Sequence, residues 1–233
     1  MDSRVPTMDL RWFSPSEQLL SSRSRVPTGI NRLNGNYRGD GTLPANTGAN
    51  VPEESNTNLW ITGLPGSITV AELLSYIKHT GRVRSTVINP PIDEIRYSAA
   101  SISFFKRRDA EVLFRTIQQG RIVIEGITPR VQWNRNRVGE DDGPPYASRV
   151  LLIAGDPQVV DRSYLNGFFS SKFVYDIDCI IDHGTVPGYG GPIGRLEYRF
   201  GSWRSQAASA RTALMLELRG FLLVEYGADP CAS

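Results

Sequence analysis

Residues 59–65, with the sequence LWITGLP, form a short apolar run that Gly63 and Pro65 bring to an end, as at the end of a β-strand. The next segment, 69–81, has apolar side chains at helical spacing and a final glycine, which is typical of an amphipathic helix. Two strand patterns, a second helix pattern and a last strand pattern follow at 82–89, 98–105, 107–120 and 127–133. The predicted order is therefore β-α-β-β-α-β.

The same order recurs in the second half of the chain. The strand patterns there are RVLLIAG, VYDIDCIID, GRLEYRF and FLLVEYG, and the two helix patterns begin at Gln158 and Trp203. Two copies of domain size predict two domains rather than a solenoid. We place the first domain at 58–137 and the second at 149–233. The polar segment 138–148 joins them, and its glycine and prolines suit a short, semi-stiff linker.

The first 57 residues differ from the rest in composition. They are rich in Ser, Asn, Gly, Pro, Thr and Arg, and such a segment buries too little apolar surface to offset the entropy lost on folding. We expect residues 1–57 to be a disordered tail. Within it, Trp12 and Phe13 stand in an apolar cluster, which is either a short motif that docks on a protein partner or a solvated stretch that binds nothing.

The charge balance is close to neutral. The chain has 26 Lys and Arg against 24 Asp and Glu, a net charge of +2, which permits nucleic-acid binding without indicating it. Two cysteines and two histidines without a CxxC pattern argue against structural zinc and against Cys/His or Ser/His/Asp catalysis. The N-terminus has no continuous apolar stretch. We expect an intracellular protein that is not an enzyme and needs no metal, cofactor, small-molecule substrate or membrane span.

Particular residues point to one family among the many that share the β-α-β-β-α-β layout. Leu59–Leu64 resembles the hexamer motif on the first strand of RNA recognition motif (RRM) domains. Ala100–Phe104 with Arg108–Ala110 resembles the end of the octamer motif, and Gly126–Trp133 resembles the last strand. The second copy resembles the family more weakly. The resemblance implies an α+β fold of two ferredoxin-like domains, each an antiparallel sheet packed on two helices.

The resemblance also implies where RNA would bind. In RRM domains the sheet face away from the helices carries aromatic side chains that stack on bases. Strand alternation puts Trp60 on that face at the hexamer's aromatic position, whereas Ala99 and Ser101 take the octamer's stacking positions and are too small to stack. Each stacked base is worth about 1–3 kcal/mol, so this loss weakens binding. The predicted RNA-binding residues are Trp60, Thr62, Ser101, Arg130, Gln132, Asn134, Arg135 and Arg137.

The second sheet lacks these aromatic side chains. Leu152 takes the hexamer position, and Arg195 and Glu197 take the octamer positions. On the preceding strand we expect the residues Tyr175, Ile177, Cys179 and Ile181 to face the helices. The aspartates of that strand then share the open face with Glu197, and this acidic surface repels phosphate. Either this face is simply solvated, or it binds a protein or a basic segment of this chain through the predicted docking residues Asp176, Asp178 and Glu197.

The expected function is recognition of single-stranded RNA by the first domain, in the processing or turnover of messenger RNA. The second domain, or the segment with Trp12 and Phe13, would dock on a protein. The expected location is the nucleus, with shuttling to the cytoplasm. The alternative is a pair of RRM-like modules that bind proteins only, because both octamers are degraded. We also expect the glycine-rich segment 183–193 to be a flexible hairpin connection, and Trp203 and Met215 to be core residues.

Overall fold

The computed structural model describes residues 50–92, 96–141, 143–144 and 146–233. The predictions for Trp12 and Phe13, and for most of the tail, lie outside this part of the chain. No helix among the described residues has the length and hydrophobicity needed to cross a lipid bilayer.

The first domain has the predicted order of elements. Its strands are β1 (Asn58–Leu64), β2 (Val83–Asn89), β3 (Ser98–Phe104) and β4 (Arg130–Trp133), and its helices are α1 (Val70–Ser75) and α2 (Arg107–Gln118). The strands form an antiparallel sheet in the order β2-β3-β1-β4. One side of this sheet packs on the two helices.

The core of the first domain follows from strand alternation and helical spacing. Helix α1 begins with a capping box, in which the Thr69 hydroxyl accepts from the Glu72 amide and the Glu72 carboxylate accepts from the Thr69 amide. The inward side chains of the sheet and helices are fully buried together; they include Leu59, Ile61, Ala100, Ile102, Leu73, Leu74, Leu113 and Ile117.

The first domain begins earlier than the sequence predicts. Residues Glu53–Ser55 form a 3₁₀ helix, and Asn56 and Thr57 are buried. The amide and the hydroxyl of Thr57 both donate to the Val138 carbonyl oxygen, at 2.7 and 3.0 Å. The predicted end of the tail at residue 57 is therefore too late, because composition does not show hydrogen bonds to a distant part of the chain.

The second domain repeats the layout. Its strands are β5 (Val150–Gly155), β6 (Ile177–Gly188), β7 (Gly191–Phe200) and β8 (Leu222–Tyr226), in the sheet order β6-β7-β5-β8. Its helices are α3 (Arg162–Ser170) and α4 (Ala208–Glu217), and a π-helical turn (Trp203–Ala207) precedes α4. The equivalent strand order in both sheets confirms the predicted fold class of two ferredoxin-like domains, each an antiparallel sheet packed on two helices.

The glycine-rich segment between β6 and β7 is mostly strand. The two strands pair as far as Gly188 and Gly191 and leave a two-residue turn. Gly184 adopts a φ of +69°, and its amide donates to the Asp182 carboxylate at 2.7 Å, where a bulge interrupts the pairing. The connection is a hairpin, as expected, but its strands run farther than the sequence predicts, because glycine permits this bulge without ending the strand.

A second bulge changes which residues of β6 face the helices. Ile177 pairs with β7, and pairing resumes at Cys179, so Asp178 is an extra residue. Ile180 therefore packs on the core, while Cys179 and Ile181 lie opposite the outward residues of β7. The predicted inward orientation of Cys179 and Ile181 is wrong, since one inserted residue reverses the alternation of a strand.

Trp203 and Met215 were both expected in the core, but only one of them is buried. Trp203 is buried, with its ring centroid 5.0 Å from that of Phe105 in the first domain. Met215 is 44% exposed on α4, so its prediction as a core residue is wrong. Trp203 thus contributes to the contact between the domains.

The end of the second domain completes the core of the first. Residues Pro230–Ala232 form a 3₁₀ helix, and the Cys231 side chain, 0% exposed, belongs to the core cluster of the first domain. The Cys231 carbonyl oxygen accepts from both the amide and the hydroxyl of Thr80, at 2.9 and 3.2 Å. The domains therefore pack as one unit.

A buried ion pair inside the second domain supports this contact through the Asp229 carboxylate. Asp229 and Arg149 both have fully buried side chains, joined by a 3.1 Å contact. The Asp229 carboxylate also accepts from the amides of Val83 at 2.8 Å and Cys231 at 3.0 Å. Arg149 donates in addition to Asp178 at 2.7 Å and to a backbone carbonyl. All these buried charges are compensated, which is what such a pair requires.

We expect Asp229→Ala to lower the free energy of unfolding by about 3–5 kcal/mol, because it leaves Arg149 as a buried charge without its main partner. Urea unfolding followed by tryptophan fluorescence measures this change. The matched control is Glu225→Ala on the exposed part of β8, which should change stability by less than about 0.5 kcal/mol. Equal effects of the two variants would contradict the assigned role of Asp229.

The Cys231 thiol offers a second measurement of the domain contact. Burial raises the pKa of this thiol to about 12, so at pH 8 about one molecule in 10⁴ carries the thiolate. We expect iodoacetamide to label Cys231 at the rate at which the contact opens, and the half-buried Cys179 to label faster in the same molecules. Mass spectrometry distinguishes the two sites. Comparable labelling rates of Cys231 and Cys179 in the native protein would show that the contact between the domains opens readily.

Candidate nucleic-acid interface

The outer face of the first sheet is the side away from the helices, formed by Trp60, Thr62, Val87, Asn89, Ala99, Ser101, Arg130 and Gln132. Its centre is Trp60 on β1, which lies opposite Ser101 of β3 and Gln132 of β4. The indole is half-buried. The next outward residue on β1, Thr62, lies opposite Ala99 and Arg130. One aromatic ring is thus surrounded by small and polar side chains.

Strand β2 adds two residues that the sequence analysis did not select. Val87 pairs with Ser101 and Asn89 pairs with Ala99, so both side chains point to the outer face. The alternation of β2 could have identified them, but the family motifs do not include this strand. Together with Ala99, these short side chains lie on the β2 and β3 side of Trp60.

The lower end of the outer face is covered by the chain that follows β4. Asn58, Ser103 and Asn134 point outward by alternation, yet each is at least 92% buried. The Asn58 side-chain amide donates to the carbonyl oxygen of Asn136 at 2.8 Å. Residues 134–138, which lead from β4 into the linker, therefore close this end and leave the region around Trp60 as the candidate site.

A chain of hydrogen bonds holds this cover in place. The Ser101 hydroxyl donates to the Asn58 amide oxygen at 3.0 Å and accepts from the Asn134 side-chain amide at 3.1 Å. The Asn134 amide oxygen accepts from the backbone of Asn136 at 2.9 Å. Ser101 and Asn134, both predicted to bind RNA, thus already bind each other in this structure.

Of the arginines predicted to bind RNA, some are exposed and one is already bonded within the chain. Arg130 and Arg135 are exposed, as is Gln132. Arg137 instead donates to the Val51 carbonyl oxygen at 3.1 Å and forms a 3.4 Å ion pair with Glu53. The structure therefore brings Trp60, Thr62, Gln132 and Arg130 together and ties Arg137 to the segment before β1. The roles of all these residues in RNA binding stay predictions.

The outer face of the second sheet is different in chemistry. Leu152 lies between Glu197 and Glu225, and Ala154 lies between Arg195 and Leu223. The inward residues of β7, namely Leu196, Tyr198 and Phe200, are buried as the sequence predicts. Leu223 is 75% exposed. The sheet centre therefore presents aliphatic side chains rather than the rings that stack on bases.

The three predicted docking carboxylates have partners within the chain. Asp178 binds Arg149, and Asp176 accepts from the Gln206 side chain at 3.3 Å. Glu197 accepts from Arg199 at 2.6 Å and from His183 at 3.1 Å. Burial opposes ionisation of Glu197, but these two hydrogen bonds lower the pKa of its carboxyl overall. The expectation that the aspartates share the open face is wrong for Asp178, because its carboxylate binds the buried Arg149. The docking role of the three residues stays a prediction.

Among the described residues, no group of three or more His, Cys, Asp or Glu side chains is placed to hold a metal ion.

The comparisons with known proteins concern the fold. No family model and no curated protein matches the chain. Among similar solved structures, RNA recognition domains 1 and 2 of Sex-lethal from Drosophila melanogaster are 20% identical, with 74% of this chain and 100% of that chain covered and a TM-score of 0.27. The first two RRM domains of the yeast poly(U) binding protein Pub1 are 20% identical, cover 74% and 99%, and give 0.31. The third RRM domain of Mip6 is 16% identical, covers 35% and 95%, and gives 0.31.

Substitutions at Asn134 and Gln132 test whether the cover over the lower end of the outer face depends on its hydrogen bonds. We expect Asn134→Ala to lower the free energy of unfolding by about 1–3 kcal/mol, because its removal leaves buried polar groups without partners. Gln132→Ala, an exposed position two residues earlier, should change it by less than about 0.5 kcal/mol. Urea titration measures both. A neutral Asn134 variant would show that the linker cover does not depend on this network.

Proposed function

We propose that the chain binds single-stranded RNA on the outer face of the first sheet. The observation that carries the proposal is the position of Trp60, at the centre of a pleated face and flanked by Ala99, Thr62 and Gln132. An indole in such surroundings can stack on a nucleobase of any type. Arg130 and Arg135 are exposed beside the face and supply positive charge for phosphates.

The composition of the face sets the expected strength of binding. One stacking ring contributes about 1–3 kcal/mol, and small residues stand where further rings would add as much. The proposed interaction is therefore weak per nucleotide and depends on phosphate contacts, so it should weaken clearly with salt. Thr62 and Gln132 would add hydrogen bonds to base edges.

The proposal extends to a role in the processing or turnover of messenger RNA in the nucleus, with the second domain as a docking module for a protein. The exposed Leu152 and Leu223 on the second sheet favour an apolar contact there. The alternative function is a protein-binding adaptor that does not bind RNA directly. The half-buried state of Trp60 and the cover at the lower end of the first sheet favour that alternative.

We expect Trp60→Ala in the full chain to weaken binding of a mixed-sequence single-stranded dodecanucleotide RNA roughly 5- to 150-fold, the equivalent of one lost stack. Fluorescence anisotropy at near-physiological salt measures the affinity. The matched control is Tyr164→Ala, an exposed aromatic on α3 of the second domain, which should leave affinity unchanged. The full chain is required because Cys231 is part of the first domain's core.

The outcomes separate the two functions. If the unmodified chain binds the RNA and Trp60→Ala binds equally well, the outer face of the first sheet is not the site. If the unmodified chain does not bind RNA at low salt, the adaptor function replaces the proposal.

A further inference from the structure

The second domain reaches the border of the first sheet at strand β2. The Ser202 hydroxyl accepts from the Thr86 amide at 3.4 Å, and Trp203 packs on Phe105. The next residue, Arg204, is exposed in the π-helical turn. A cationic side chain of the second domain is thereby held beside the first sheet, at the edge farthest from β4.

Two arginines of the first domain lie at the start of strand β2, on the same border of the sheet as Arg204. We call Arg82, Arg84 and Arg204 the junction arginines. Arg84 donates to the Gly139 carbonyl oxygen and forms a 3.1 Å ion pair with Asp141. The Arg82 guanidinium donates to the Ala147 carbonyl oxygen at 2.6 Å and lies 4.5 Å from the Phe105 ring centroid. Both groups are held by the linker and its surroundings.

Arg204 differs from these two in its contacts. Within the part of the chain that the structure describes, no carboxylate lies within 4.0 Å of it, whereas Arg84 has Asp141. Burial lowers the pKa of Arg84, Asp141 raises it, and the charge of Arg204 lowers it, so the two guanidinium groups are close enough to repel. A phosphate beside Arg204 would relieve this repulsion, and the planar guanidinium matches its oxygens.

We propose that single-stranded RNA lying across the first sheet continues past β2 onto the domain junction, where Arg204 of the second domain binds a backbone phosphate. This inference rests on the proposed function of the first sheet and extends the site beyond it. It gives the second domain a direct part in RNA binding through its helical side, although its own sheet lacks stacking rings.

The domain contact explains why Arg204 could serve the first domain. The bond from the Val83 amide to Asp229 and the Cys231 insertion hold the second domain against the first before any ligand arrives. A contact that is already in place costs little ordering entropy on binding. The chain after β4 closes the lower end of the outer face, so a bound strand must leave Trp60 across another border, and the border at β2 leads to Arg204.

The test compares Arg204→Gln with Arg219→Gln in the full chain. Arg219 is exposed just beyond the far end of α4, about 15 Å along the helix from the π-helical turn, and its removal changes the net charge equally. With the dodecanucleotide RNA we expect Arg204→Gln to weaken binding roughly 2- to 5-fold. The slope of log K against log salt should fall by about 0.7, as for one lost phosphate contact on a single strand. Arg219→Gln should change neither.

A shorter ligand adds a second criterion. A tetranucleotide RNA stacked on Trp60 ends before the junction, so Arg204→Gln should affect its binding less than that of the dodecanucleotide. Equal effects of the Arg204 and Arg219 variants on the longer RNA would overturn the junction site and leave the first-sheet site standing, provided that Trp60→Ala still weakens binding. If the unmodified chain binds neither RNA, the proposed function and the junction site both fall.

Discussion

The buried Asp229 carboxylate is the group on which the arrangement of the two domains depends. One carboxylate receives donors from the Val83 amide of the first domain and from Arg149 and Cys231 of the second. A buried pair of this kind adds little net stability over an apolar contact, but it is intolerant of misalignment, because each displaced donor leaves a desolvated charge. We infer that the bond from the Val83 amide to this carboxylate selects one domain orientation among several that apolar packing alone would allow.

That orientation decides which surfaces remain available. Edge strands carry unpaired amides and carbonyls that can recruit other chains, and here the β2 edge is occupied, since Val83 and Thr86 donate to groups of the second domain. The linker covers one end of the first outer face as it crosses from β4 toward β2. The region around Trp60 is therefore framed by contacts that belong to the tandem arrangement, so the isolated first domain would present a different surface.

The sequence predicted what local periodicity determines. Both β-α-β-β-α-β patterns, the outward side of Trp60 and Thr62, and the inward side of Tyr198 and Phe200 follow from alternation, and the structure agrees. The bulge at Asp178 was not predictable, because an inserted residue leaves composition and spacing unchanged until its strand partner is known. The contact of Cys231 with the first core was equally hidden, as it joins residues about 150 positions apart, for example Thr80 and Cys231.

At the candidate site, too, alternation predicts which way a side chain points but not what it binds. A small polar side chain on an exposed strand face can bind a ligand or its own backbone, and alternation does not distinguish the two. For Ser101 and Asn134 the deciding fact is that the chain turns back over them after β4, which the run Asn134-Arg135-Asn136-Arg137 does not reveal by itself. Polar groups satisfied in this way would have to exchange existing hydrogen bonds for those of an RNA, with little net gain. Affinity on this face must then come from the indole and from cations at its borders, which is why the arginines at the β4 side and at the domain junction matter more than the polar centre.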